Sequence, residues 1–376
     1  MAGIHVLGSG FAALATVREL RRRGVREPIT VVSPECELVY LPSLIWLPSG
    51  QRRGEDLRVP LGPWLERQRV HWHRGRVREV ADGGRRTITD TGELSNDCLV
   101  IATGGRPLPG LPGMEEVLVP CAGIAQAEAV RDRLAALDDG TIAVGFAGNP
   151  REPSAVRGGP MFEFLFGIDR LLRRQGRRQN VRLVFFSPAQ RPGQRLGEAV
   201  VDRLLQRMVE LDIATVLGEK LLGFEADAVV TERRRIGSDL TLFMPGLTGP
   251  EWLIGSALPR SPGGFLACDE FCRVRGLERV YAAGDVGSYP GPEWMARQAH
   301  QAELQARAVA GNLVAELSGR PARHRFRSEL ACIVDSLDQG MLIYRSRRLA
   351  LRLPRMKLLH WLKKRLERHH LQRYRR

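Results

Sequence analysis

The stretch Ile4-His5-Val6-Leu7-Gly8-Ser9-Gly10-Phe11-Ala12-Ala13 decides the fold. Ile4 to Leu7 reads as a buried strand and Leu14 to Arg23 as a helix, so the glycines fall where a pyrophosphate meets a helix N-terminus. The need for glycine is steric. Gly8 permits the tight turn, Gly10 admits the pyrophosphate without a Cβ in its way, and the small Ala13 lets helix and strand pack closely. The next strand, Ile29 to Val32, ends in Ser33-Pro34-Glu35, where an acidic residue ordinarily grips the adenosine ribose. Ser33 departs from that rule, which leaves its hydroxyl or Glu35 for the role.

Alone, such a turn is weak evidence, because many nucleotides can sit on one. A second glycine-rich segment, Tyr281-Ala282-Ala283-Gly284-Asp285-Val286-Gly287, strengthens it, as does the strand Cys98 to Ile101 running into Ala102-Thr103-Gly104-Gly105. Together the three segments read as one FAD site. Asp285 at its strand end would hydrogen-bond the ribityl chain. A helix expected from Pro292 to Leu317 would point its N-terminal dipole at the flavin pyrimidine and favour a reduced, anionic ring. The apolar Val39 to Leu47, broken by Pro42, and the arginine-rich segment after it are expected to lie over the flavin.

With 376 residues, the chain exceeds what one core usually holds, and two α/β domains with a short appendage are expected. No run of 18 apolar residues occurs, so no transmembrane helix is expected. The first strand begins by Ile4, which leaves no room for a secretory signal, and a cytoplasmic site is expected. The net charge of +15 is concentrated at one end: residues 345–376 carry 13 Lys/Arg against Glu367 alone, and the body before them is almost neutral. That distribution argues against nucleic acid as a partner. The six cysteines do not form paired zinc spacings, so no metal is expected, and the default for each is a reduced thiol.

The fold class expected is α/β, with two Rossmann-like dinucleotide-binding domains and a C-terminal amphipathic membrane-binding segment. Residues 1–110 and 261–320 would form the FAD domain, 111–260 the second domain, and 321–376 the C-terminal segment. The second domain opens with a helix (Ala125 to Leu137) and a strand (Thr141 to Phe146), but Gly145-Phe146-Ala147-Gly148-Asn149-Pro150 has the wrong glycine spacing and two prolines follow. NAD(P)H is therefore not expected there. Pro160 then starts an amphipathic helix, Met161 to Arg174.

With these elements in place, the chain resembles the disulfide-reductase type of FAD-dependent pyridine nucleotide-disulfide oxidoreductase, and within it the sulfide:quinone oxidoreductase and flavocytochrome c sulfide dehydrogenase group. Three matches carry the resemblance: Val119-Pro120-Cys121, Gly159-Pro160-Met161-Phe162-Glu163, and Ala331-Cys332-Ile333-Val334-Asp335 followed by Asp338-Gln339-Gly340. It implies that Cys332 and Cys121 are redox cysteines and that Glu163 is a proton carrier, or else a salt bridge at the helix start. Arg297 stands near the place of a family lysine by the flavin pyrimidine, or is a solvated helix charge. One departure stands out. Where the family carries a second redox cysteine, three residues before the Gly-Pro step, this chain has Arg157. Cys332 would then act alone, or pair with Cys121 or Cys36, and a cation such as Arg157 would lower a thiol pKa. Covalent flavin attachment is not expected, since Cys36 lies too early. The implied chemistry is transfer of two electrons from sulfide or a related sulfur species, through a thiolate and FAD, to a quinone.

The basic tail fits that acceptor. From Pro354 onward, Leu358, Leu359, Leu362 and Leu366 form an apolar helical stripe flanked by Trp361, while Lys357, Lys363, Lys364, Arg365 and Arg368 crowd the rest. This reads as a peripheral (monotopic) anchor to an anionic membrane surface on the cytoplasmic side, or as a basic helix that packs on the body. Met341, Ile343 and Tyr344 would line a quinone pocket or belong to the core. An NADH:quinone oxidoreductase and a flavin-bearing protein without sulfide activity remain as alternatives, and a homo-oligomer is left open.

Overall fold

The computed structural model describes residues 3–375. The chain opens with β1 (Ile4–Leu7), α1 (Phe11–Arg22), β2 (Ile29–Ser33), β3 (Val70–Arg74) and β4 (Cys98–Ile101). It continues with β5 (Gly140–Phe146), α2 (Gly159–Arg174), β6 (Val181–Ser187), α3 (Glu198–Glu210), β7 (Ile213–Leu217) and β8 (Leu240–Met244). The last part holds β9 (Val280–Ala282), α4 (Ala299–Leu317), β10 (Glu329–Asp335), β11 (Gly340–Ser346), β12 (Ala350–Met356) and α5 (Lys357–Arg375).

The first sheet is parallel, in the order β9-β4-β1-β2-β3. Its central strands β1 and β4 are buried along their whole length, which is why they read as near-continuous apolar runs. β9 arrives from far along the chain to pair with β4, and this brings Gly284 beside the first turn. α1 and α4 cross closely because alanines face each other: a Cβ on Gly284 would stand 3.1 Å from that of Ala12 and 3.5 Å from that of Ala302. A second parallel sheet, β7-β6-β5-β8, forms the other doubly wound unit. A three-stranded antiparallel sheet, β10-β11-β12, follows near the C-terminus.

Two element boundaries differ from the sequence reading. α1 starts at Phe11, three residues early. α4 starts at Ala299 and not at Pro292, because Arg297 is drawn into other bonds and the chain stays extended at Gln298, with φ −147° and ψ 159°.

The tail helix α5 also differs. Its apolar residues do not form one stripe, for Leu359 is buried with Leu371 and Tyr374 while Leu358, Trp361 and Leu366 are 63%, 54% and 52% exposed. The inward face is polar. His360, Lys363, Glu367 and His370, spaced to share one side of the helix, meet Asp335, Glu163, Arg52 and Glu303. Lys363 is thus not a lipid-facing cation: its side chain is 15% exposed and inserts under β10. Among the described residues no helix is long and apolar enough to cross a membrane.

Candidate active site

A cavity of about 2390 Å³ runs between the two doubly wound units and the C-terminal sheet. That exceeds the several hundred Å³ of an ordinary single-ligand pocket, so it has room for a dinucleotide and further molecules. Gly8, Ser9, Gly10, Phe11, Ala12, Ser33, Pro34, Ala102, Thr103, Gly104, Gly284, Asp285 and Arg297 line it. Ala13 lies behind the turn, fully buried, where its small size serves packing.

The glycines divide the work. At Gly8, φ is +111° and an added Cβ would fall 2.5 Å from the Ala102 carbonyl oxygen, so the turn and the crossover strand need each other bare. A Cβ on Gly10 would meet nothing within 4 Å, which is the open space a pyrophosphate requires. This cradle fits FAD. At its ribose end the Ser33 hydroxyl is already engaged, donating to the Glu35 carbonyl at 2.8 Å and accepting from the Trp72 indole at 3.1 Å. Glu35 is exposed and outside the lining, whereas Arg76 and Arg78, which sequence reasoning missed, border the cavity beside Ser33.

Asp285 is held by Arg157, which donates to its carboxylate. The side chain standing where the resemblance led one to expect a second cysteine is therefore spent on Asp285. Arg297 is not a solvated helix charge. Its guanidinium stacks 3.8 Å from the Phe265 ring centroid and donates to the carbonyls of Asp285 at 2.8 Å and Gly287 at 3.0 Å. It braces the second glycine loop from beneath.

Cys121, Glu163 and Cys332 line the same cavity, while Cys36 packs with the first-sheet core and is absent from the lining. All six cysteines are free thiols. Burial pushes the Cys121 thiol up to about 12, against a lowering by Arg157. Burial likewise pushes Cys332 up to about 12, with Glu163 adding to the rise and Lys363 opposing it. The cation that favours a Cys332 thiolate is thus Lys363 and not Arg157. Its charge was legible in the sequence, but its inward direction was not.

Glu163 sits where these charges meet. Lys363 donates to its carboxylate, and the Asp335 backbone N–H donates to the same oxygen at 2.8 Å. Burial pushes the carboxyl up to about 7, with Lys363 holding it from rising further. Lys363 also donates to the Ile333 carbonyl at 3.0 Å, which fastens it to the strand of Cys332. Asp335 in turn accepts from the Trp46 indole at 3.1 Å and pairs with His360 at 2.6 Å. The result is a buried, hydrogen-bonded set in which a proton can be held or released near neutrality beside a sulfur atom.

The second sheet borders the same cavity through Ser187 and the segment after it. The strand-end position of β6 is Ser187, whose hydroxyl donates to the Phe146 carbonyl at 3.2 Å and accepts from the Ala189 N–H at 3.3 Å.

The sequence model of the family described as pyridine nucleotide-disulphide oxidoreductase matches residues 3–306. The sulfide-quinone reductase of Aquifex aeolicus (strain VF5) is 25% identical over 352 residues, covering 88% of this chain and 80% of that protein. The nitric oxide reductase FlRd-NAD(+) reductase of Escherichia coli O9:H4 (strain HS) is 30% identical over 120 residues, 31% of this chain and 32% of that protein. Among solved structures, the sulfide:quinone oxidoreductase of Aquifex aeolicus aligns with a TM-score of 0.90 at 22% identity, covering 99% of this chain and 91% of that one. NDH2 of Plasmodium falciparum in complex with NADH aligns with a TM-score of 0.76 at 12% identity, covering 99% and 97%.

Proposed function

The chain belongs to the pyridine nucleotide-disulphide oxidoreductase family, and from that premise we propose that this FAD-dependent oxidoreductase carries electrons from sulfide or a related sulfur species to a quinone at a membrane surface. The observation that carries the reading is the position of Cys332 in a strand with two different neighbours. One side of the C-terminal sheet packs with the second-domain core, and the other lies under α5. Both faces also border the cavity, Cys332 on one and Ile333 with Leu362 and Lys363 of α5 on the other, so a sulfur donor and an apolar acceptor can approach from opposite sides of one strand.

Bound FAD supplies a two-electron acceptor between them. The residues of the chain do the rest. Cys332 presents its sulfur into the cavity, and Lys363 stabilises negative charge there. Glu163, whose carboxyl titrates near neutrality, accepts the thiol proton only as charge leaves the sulfur, because the resting buried thiol titrates far higher and holds its proton. Cys121 offers a second thiol in the same cavity. Leu362 and Leu366 line the opening beside α5, next to the exposed Leu358 and Trp361. An apolar quinone that partitions into lipid would enter along this edge. α5 turns Lys363 and Glu367 inward and exposes Leu358, Trp361 and Leu366 among outward cations, which supports a membrane-facing role for the outward side. Its flanking cations would add roughly 1 kcal/mol each on anionic lipid.

The test is a steady-state assay with the FAD-loaded protein on anionic vesicles, following reduction of a soluble quinone analogue. Sulfide-dependent reduction with no response to NADH is expected. Reduction driven by NADH and not by sulfide would replace this reading with the NADH:quinone one.

A further inference from the structure

A smaller cavity of about 160 Å³ is walled by α2, α3, β12 and the turn that joins β10 to β11, and it shares no lining residue with the flavin cleft. Its helical wall follows from sequence spacing: Phe166, Asp169, Arg170 and Arg173 recur at three- and four-residue intervals and so share one side of α2. α3 adds Arg207, the turn adds Ser336 and Asp338, and β12 adds Arg355. The electron-transfer reading uses none of them.

Charge does not balance on these walls. Arg170 and Arg174 share Asp338, Arg173 and Arg178 share Asp169, and Arg203 and Arg207 share Glu210. Arg355 donates to the Ser336 hydroxyl at 2.9 Å, and among the described residues no carboxylate pairs with it. Seven guanidinium groups therefore stand against three carboxylates, each already divided between two cations. Arg355 is half-buried, with most of its N–H donors unspent. Burial lowers its pKa and Arg207 adds repulsion, while Asp338 opposes both. A cation taken partly out of water ordinarily has an anion beside it, and here that anion is missing from the chain. The positive field also reaches the tail helix. Burial and Arg52 lower the Lys364 pKa, and Arg174 adds to the lowering against Asp335 and Glu367, so the arginine wall continues to the edge of α5.

We propose that this cavity binds a phosphoryl group, as a free phosphate ion or as the headgroup of an anionic phospholipid, with its oxygens on Arg355, Arg170 and Arg207. Planar guanidinium forks match the paired oxygens of phosphate. The volume is that of a few waters at roughly 30 Å³ each, which suits a tetrahedral oxyanion and is too small to enclose a nucleoside. Bound there, the anion would join α2 and α3 to the turn that follows Asp335, the partner of His360.

The experiment is isothermal titration of the FAD-loaded full chain with inorganic phosphate against chloride at fixed ionic strength, the flavin keeping phosphate out of the glycine cradle. Saturable 1:1 binding is expected, weakened at least tenfold in Arg355→Gln and in Arg170→Gln/Arg207→Gln. The double variant leaves Asp338 with Arg174 and Glu210 with Arg203, so it tests the site without stripping either carboxylate of a partner. Arg348→Gln removes the same charge as Arg355→Gln from an exposed position outside the cavity and should bind phosphate as the wild type does. Flotation with phosphatidylcholine vesicles, with and without phosphatidylglycerol, separates the sources. A greater loss of phosphatidylglycerol-dependent flotation in Arg355→Gln than in Arg348→Gln supports the site with a lipid headgroup in it, and an equal loss beside saturable phosphate binding supports it with the free ion. Absence of saturable phosphate binding together with equal flotation of these two variants would overturn the proposal, as would phosphate affinity unchanged in both cavity variants.

Discussion

Lys363→Met should destabilise the protein in a pH-dependent way, and the dependence follows from Glu163. In the wild type, burial raises the Glu163 carboxyl from 4.5 to about 7, and Lys363 supplies the two largest opposing influences. Removing the ammonium lets that midpoint climb. A carboxyl whose folded pKa exceeds its unfolded one contributes stability below the unfolded pKa, and that stability is lost as pH rises, by about 1.4 kcal/mol per unit, until the folded midpoint is reached. The wild-type loss ends near pH 7, whereas the variant's continues. For Lys363 itself, burial opposes the charge, but Glu163 and Asp335 outweigh it and hold its pKa above 10.5, so its contribution is fully present throughout this window. The difference between wild type and variant should thus be nearly constant below pH 6 and larger by about 2 kcal/mol at pH 8.5. Urea denaturation of both proteins at pH 6 and pH 8.5 measures it. An equal destabilisation at both values would refute the electrostatic coupling of α5 to the site.

Other outcomes follow from the same contacts. Gly10→Val should fold with little loss, since its side chain enters open space, yet purify without FAD; a yellow variant with wild-type flavin content would contradict the cradle. Leu358→Ser/Trp361→Ser/Leu366→Ser should lower sedimentation with anionic vesicles at least tenfold while leaving the melting temperature nearly unchanged, and unaltered sedimentation would end the docking role of that face. Leu359→Ala, on the buried side of the same helix, should instead cost about 2–5 kcal/mol of stability. Burial pushes His370 down to about 3, with Arg373 adding repulsion. The folded state therefore keeps it neutral while the unfolded chain binds a proton below about 6.5. Stability should fall by about 1.4 kcal/mol per unit as pH drops from 6.5, and His370→Phe should flatten that limb.

Local steric rules made the cradle legible. Gly8 and Gly284 must be bare because strand, helix and crossover approach one another there, whereas Gly10 keeps space open for a pyrophosphate, and such requirements leave glycine at fixed offsets from apolar strands. The N-terminal proline of α2 and its apolar face were likewise visible as a 3.6-residue period. What escaped was long-range pairing. Nothing within α5 says that Lys363 and His360 turn inward, since that depends on Glu163 and Asp335, far away in the chain. Arg157 and Arg297 carried charge in plain view, but their partners, Asp285 and the carbonyls of its loop, are set only once β9 joins β4. The start of α4 was misplaced for the same reason: Arg297 takes tertiary bonds that hold residues 292–298 out of a helix that local propensity would allow. Sheet register, which places Ile343 opposite both Cys332 and Arg352, is invisible until both hairpins are formed.

The central claim is that the Cys332 sulfur exchanges electrons with the flavin beside it. Anaerobic titration of the FAD-loaded protein with sulfide, followed at the flavin absorbance and repeated with Cys332→Ser, tests it directly. Stoichiometric bleaching of the wild type, reversed by added quinone and lost in the variant, is the predicted result. Bleaching that proceeds unchanged in Cys332→Ser would contradict it.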